Sequence, residues 1–261
     1  VTNELRNKYG LADFDIPAKN IHILPENEWV NIFGEDNGGD GVYSPSGQGI
    51  LVEDDSEMKI YFAKKLLHEI LHAKAYQAIQ VIGEENPKLR QYRDGIVVHS
   101  RDGEVIYFAN FYEALTEELA KKYLKQLLDN PVFKNEVEDS SKIMQESSGT
   151  KDDSGEPLFN DETFYVYEGE DEKGPWLRTH EFTYQRPRKI LNTLIDKLYE
   201  RNEDKFESRE EVFELFEKGM ITGNILPLGR TIDRTFGKGI FRKIGELDEN
   251  LDELEEFVNS L

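Results

Sequence analysis

Apolar residues at Ile60, Ala63, Leu67, Ile70, Leu71, Ala75 and Ala78 recur at intervals of three and four, which places them on one broad stripe of a helix. A stripe that wide must be covered by other elements, so the fold has to be built around it. Asp55 or Ser56 is placed to cap its start, and Gly83 is the natural stop. A second strong helix is expected from about Phe111 to Leu128, with Pro131 just beyond its end. At 261 residues the chain fits one large domain or two modest ones. It needs no disulfide or metal staple to bury a core.

Weaker signals surround these helices. Asn20–Leu24 alternates as a strand until Pro25, and Glu28–Phe33 is expected to pair beside it. Gly34–Gly41 is turn-rich, and Gly49–Val52 is a short apolar strand. Gly95–His99 and Val105–Phe108 are expected to be strands joined by a turn at Arg101–Glu104. Residues 134–161 are poor in apolar side chains and rich in Ser, Glu, Asp and Gly, the composition of a long surface loop. Thr163–Tyr167 and Trp176–Tyr184 suggest a hairpin. Lys189–Asn202, Arg209–Gly219 and Asp248–Ser260 suggest amphipathic helices, with a glycine-interrupted helix from Ile232 to Ile244. The expected class is α+β: a small N-terminal mixed sheet, two central helices and a mainly helical C-terminal part. Its divisions fall at 1–133, 134–161 and 162–261.

Composition narrows the functional classes. The chain has no cysteine, which removes disulfides, thiolate metal sites, iron–sulfur ligation and thiol catalysis together. Its 53 acidic and 32 basic residues give a formal net charge of −21. That argues against non-specific binding to nucleic acid or anionic membrane, both of which need a positive surface. Apolar runs such as Val105–Ala109 are too short to span a bilayer. The chain opens on Val rather than Met, so residues are expected to precede it. No leader pattern is visible in what remains, which favours the cytoplasm.

The first helix carries His68-Glu69-Ile70-Leu71-His72. Histidines four apart lie one turn apart on one face, so both imidazoles can reach one ion. Glu69 is placed to take a proton from a water activated at that ion. A catalytic metal of this kind needs a third protein ligand. The metzincin extension would put Gly at 75 and His at 78, and both are Ala. His22, His99 and His180 have no helical partner at ligand spacing. The second helix offers Glu113 and Glu117, again four apart. Glu113 is the candidate third ligand, and Glu117 could hydrogen-bond a ring N–H of a ligating histidine. Two imidazoles and a carboxylate suit zinc better than magnesium or calcium. Taken alone, this glutamate pair also fits a plain solvated face.

With that motif pair in place, the chain resembles the gluzincins, the thermolysin-like clan of zinc metallopeptidases, in a small, minigluzincin-like form. In that clan a second helix supplies a glutamate ligand within a pattern like Asn-Glu-Ala-x-x-Asp/Glu. Phe111-Tyr112-Glu113-Ala114-Leu115-Thr116-Glu117 is similar, with Tyr112 where the pattern has Asn. The resemblance covers about residues 45–128. It implies zinc as cofactor, a peptide or protein substrate and Glu69 as general base. It also implies that the strand before the motif helix, with Gly49, Ile50 and Leu51, is an edge onto which an extended peptide pairs. The clan uses a Tyr or His to stabilise the oxyanion. Tyr165, Tyr167, His180 and Tyr184 come after the glutamate helix, and Tyr107 precedes it. Tyr184 is the choice because it ends an expected strand just before the C-terminal helices. Two other readings stay open: an acidic binding module whose zinc site is structural or vestigial, and a zinc hydrolase of a non-peptide bond. Arg230, Arg234, Lys238, Arg242 and Lys243 form a locally basic stretch, either a carboxylate-binding patch or partners for the chain's own acids.

Overall fold

The computed structural model describes residues 1–34, 41–55, 57–82, 87–151, 154–171 and 174–261. The chain opens with α1 (Thr2–Lys8), β1 (Ile21–Leu24), α2 (Glu26–Phe33), β2 (Gly41–Ser44) and β3 (Gly49–Glu53). Glu28–Phe33 is therefore helical and not the expected strand. Pro25 precedes the first helical turn, Glu26 and Glu28 lie in that turn, and Trp29 packs on Phe33 one turn later. The three strands form a mixed sheet in the order β1-β3-β2, with β3 parallel to β1 and antiparallel to β2.

This order corrects the expectation for Gly49, Ile50 and Leu51. They lie on the central strand, both of whose edges are already paired. Gly49 and Ile50 are buried. No backbone edge is left there for a peptide, and the edge that faces the site belongs to β2.

The motif helix, α3, runs Lys59–Lys74 and stops short of the expected Ala78. Beyond it, Gln77–Ile82 is strand β4, in which Ile79, Val81 and Ile82 supply the β-branched side chains that favour extension. Gly83 and Ser56 lie outside the described residues, as does most of Gly34–Gly41. Strand β4 continues into β5 (Lys88–Asp94), β6 (Val97–His99) and β7 (Ile106–Tyr107), an antiparallel sheet in that order. Helix α4 (Ala109–Leu127) comes next.

Residues 134–161 are not one long loop. Lys134–Glu146 is helix α5, packed on the hairpin of β8 (Thr163–Asp171) and β9 (Gly174–Glu181). Ser140 Oγ accepts from the Val166 N–H at 2.9 Å, and Lys134–Glu138 and Lys142–Glu146 pair across single turns. The C-terminal part is α6 (Gln185–Glu200), α7 (Arg209–Thr222), α8 (Leu226–Phe236), α9 (Ile240–Leu247) and α10 (Leu251–Ser260). The architecture is α+β. The largest core cluster joins Leu67 and Leu71 of α3, Phe111, Leu115 and Leu119 of α4, and apolar residues of α6, α7 and α10. No helix among the described residues is long and apolar enough to cross a membrane.

Both central helices take their N-terminal caps from elsewhere. No side chain at the N-cap position of α3 or α4 makes a cap hydrogen bond. Glu136 of α5 accepts from the Lys59 and Ile60 N–H groups at 3.1 and 3.0 Å. Asp248, just after α9, accepts from the Asn110 and Phe111 N–H groups at 2.7 and 3.1 Å. These bonds satisfy donors that a helix start otherwise leaves unpaired. Asp55, the expected cap of α3, instead pairs with Lys65.

Candidate metal centre

The facing sides of α3 and α4 bring His68, His72 and Glu113 together. Ligand atoms of all three lie within 4.8 Å of one another. His68 Nε2 is 3.0 Å from His72 Nε2 and 3.2 Å from Glu113 Oε2, and His72 Nε2 is 3.4 Å from the same oxygen. An ion about 2.0–2.1 Å from each ligand of a tetrahedron has ligands roughly 3.3 Å apart. The three spacings match one face of such a tetrahedron, so the donor set fits a divalent metal.

Glu117, one turn after Glu113, is 0% exposed and has a partner at each oxygen. His68 Nδ1 donates to Oε2 at 2.8 Å. Oε1 accepts from Lys64 Nζ at 2.6 Å, from the Thr183 N–H at 2.7 Å and from Thr183 Oγ1 at 2.9 Å. In the neutral imidazole, which metal binding requires, the bond from Nδ1–H fixes the tautomer and leaves the Nε2 lone pair facing the shared site. It also ties α3, α4 and the segment before α6 to one buried carboxylate.

The charges are strongly coupled. Burial disfavours a charged His68, but Glu113 and Glu117 outweigh it and raise the imidazole from 6.5 to about 9. Burial also raises Glu113, yet His72 and His68 pull its carboxyl well below the ordinary range. Glu117 is desolvated too, and His68 and Lys64 bring it down to about 2. Glu69 goes the other way: burial raises it, only partly opposed by the two histidines. Its carboxylate lies against β2, where a Cβ on Gly41 would meet Glu69 Cγ and Oε1 at 3.0 Å.

Tyr184 also reaches the site. Its ring stacks on His68 with centroids 6.0 Å apart and an interplanar angle of 14°. Burial, Coulombic repulsion and a hydrogen bond to Glu113 raise its hydroxyl well above 10, which keeps it a donor at neutral pH. It holds a left-handed φ of 55° at the start of α6. Among the other candidates, His180 lines the cleft, while Tyr107, Tyr165 and Tyr167 do not.

Two cavities meet at these residues. One, of about 260 Å³, extends past Tyr43, Asp94, His99 and Tyr112. The other, of about 360 Å³, extends past Tyr61, Lys64, Lys65, Thr179 and His180. His68, Glu69, Gly41 and Tyr184 line both, so the candidate metal centre sits at the waist of a continuous cleft. The basic residues of α8 and α9 line neither cavity, and Arg242 pairs with Glu246.

Sequence reasoning missed Lys64, Thr183, Asp94 and Gly41. Lys64 had a signal: it precedes His68 by four residues and shares the ligand stripe. The other three arrive from distant segments, with no local mark. No family model, curated protein or solved structure matches the chain at a significant level.

Proposed function

We propose that the chain is a zinc-dependent metallopeptidase, acting as an endopeptidase on extended, cationic or unfolded segments. The observation that carries this reading is the convergence of His68, His72 and Glu113 beside Glu69 at the waist of an open cleft. When bound there, zinc supplies Lewis acidity, polarising a peptide carbonyl and acidifying water.

The chain's own groups divide the remaining work. Glu69 takes the proton of the attacking water and passes it to the leaving amine. Its burial-raised pKa suits both directions of transfer. Tyr184 donates to the oxygen on which negative charge develops. Glu117 orients His68 and holds its Nε2 toward the metal. The outer edge of β2 lines the cleft and, beside the Tyr43 N–H that donates to Glu69, offers main-chain pairing to an extended substrate. The negative net charge draws cationic substrates over long range.

The test combines metal content with cleavage. Elemental analysis is expected to find about one zinc per chain, as a three-ligand site requires. Glu69→Gln is expected to keep that zinc and lose nearly all cleavage of an unstructured cationic protein, because an amide cannot take the proton. His68→Ala is expected to lose the metal. Equal cleavage by Glu69→Gln would remove Glu69 from the mechanism. Retained zinc with no cleavage by the parent would point to a structural site.

A further inference from the structure

The two arms of the cleft differ in charge. In the larger arm both lysines are already used: Lys64 binds Glu117, and Lys65 pairs with Asp55 and donates to the Glu53 carbonyl. The smaller arm contains the Asp94 carboxylate and no lysine or arginine in its lining. Tyr112 Oη and Gln77 Nε2 both donate to Asp94 Oδ1, at 2.7 and 2.8 Å, and the Gln91 side chain is a third hydrogen-bond partner. No lysine or arginine nitrogen pairs with this carboxylate among the described residues. Its hydrogen-bond partners are neutral and the positive charge acting on it is that of His72, so a cation entering the arm would meet a carboxylate that no lysine or arginine holds.

The geometry also relates that carboxylate to the candidate metal centre. Tyr112 packs edge-on against the metal-side histidine His72, with ring centroids 4.7 Å apart, and its far end touches Asp94. Asp94 thus stands one aromatic ring away from His72. A long, extended side chain such as lysine or arginine can span that ring from a backbone at the candidate centre. Tyr43 and Gln91 line the same arm and can contact its aliphatic stem.

We propose that the arm of the cleft walled by Asp94 is a subsite for a lysine or arginine side chain next to the bond that is cut. The proposal rests on the peptidase reading of the cleft and adds its substrate class. A carboxylate that only anchored Tyr112 would give no preference between ligands of equal size and different charge.

The test separates the two ideas. Zinc-loaded Glu69→Gln protein, which does not cleave, is titrated with N-acetyl-arginine amide and N-acetyl-norleucine amide and followed by two-dimensional NMR. Arginine amide is expected to bind roughly tenfold or more tighter, to shift signals of Gln91, Val97 and Tyr112, and to weaken as salt is raised. Asp94→Asn added to that background is expected to abolish the preference. Equal binding of the two amides would overturn the subsite, and so would arginine binding that shifts other signals. If Asp94→Asn fails to fold, the two-amide comparison on the intact site still decides. In parallel, the parent is given a peptide library. Cleaved bonds are expected to carry Lys or Arg on one fixed side, and cuts without that bias would overturn the subsite. No cleavage beyond Glu69→Gln would remove the peptidase reading, while the amide titration would still judge the cation site.

Discussion

Helices α3 and α4 meet the same problem at their N-termini in different surroundings. Each lacks a cap of its own and borrows a carboxylate from far along the chain, Glu136 for α3 and Asp248 for α4. Glu136 is half-buried, whereas Asp248 is fully buried. A carboxylate at a helix start satisfies free N–H groups and faces the positive end of the helix dipole. Near the surface that arrangement costs little. In the interior the charge itself is opposed: burial raises Asp248 from 3.8 to about 6, even though backbone donors pull it down. Remote tertiary contacts therefore cap both helices that carry the candidate ligands, and the buried contact is expected to make one of them sensitive to pH.

The largest effect is expected where the two helices are joined. Glu117→Ala would strand Lys64 in the interior without its partner, and should cost about 3–5 kcal/mol in urea unfolding. Adding Lys64→Met should recover much of that loss. A single-mutant cost below about 1 kcal/mol, the range of exposed ion pairs, would show that Glu117 is not the joint.

Next in size is the buried cap. Asp248→Ala leaves the Asn110 and Phe111 N–H groups without their acceptor and should cost about 2–3 kcal/mol by the same measurement. Between about pH 4 and about pH 6 the folded chain keeps the Asp248 proton that the unfolded chain has lost. The native state then binds more protons, so this residue's contribution falls as pH rises through that window, by up to about 1.4 kcal/mol per pH unit. Comparing urea midpoints of the parent and Asp248→Asn across the window checks the sign. A parent no more pH-dependent than Asp248→Asn would refute it.

The smallest effect belongs to the half-buried cap. Glu136→Ala should cost about 1 kcal/mol, a typical N-cap loss. If it proves as costly as Asp248→Ala, burial is not what separates the two ends.

The parts readable from sequence were those fixed by local periodicity. His68 and His72, and Glu113 and Glu117, fall on facing helix surfaces because residues four apart share a face, and Glu69 sits beside the first histidine. What stayed hidden depended on distant chain. Whether β3 is an edge or a centre depends on which strands flank it, and Gly49–Leu51 carry no mark of that. Helix α5 has a loop's composition, and contacts with β8 and paired charges across its turns support it. Extension of α3 to Ala78 failed because Ala75 and Ala78 fit a helical stripe as well as an extended segment, while Ile79, Val81 and Ile82 favour a strand. Thr183 reaches Glu117 only through the tertiary fold.

The bare backbone of Gly41 beside Glu69 bears on how relatives of this chain should be sorted. An alanine at 41 would press on the Glu69 side chain at 3.0 Å, and a larger residue would displace it further. Under the proposed function, such a chain keeps His68, His72 and Glu113 for the metal, yet its Glu69 is displaced from the place where it would take a proton. On that reading, a homologue with all three candidate ligands but a bulky residue at this position is a candidate pseudoenzyme. Residues 41 and 69 therefore form a single diagnostic pair, to be scored together in any alignment that separates active from inactive copies.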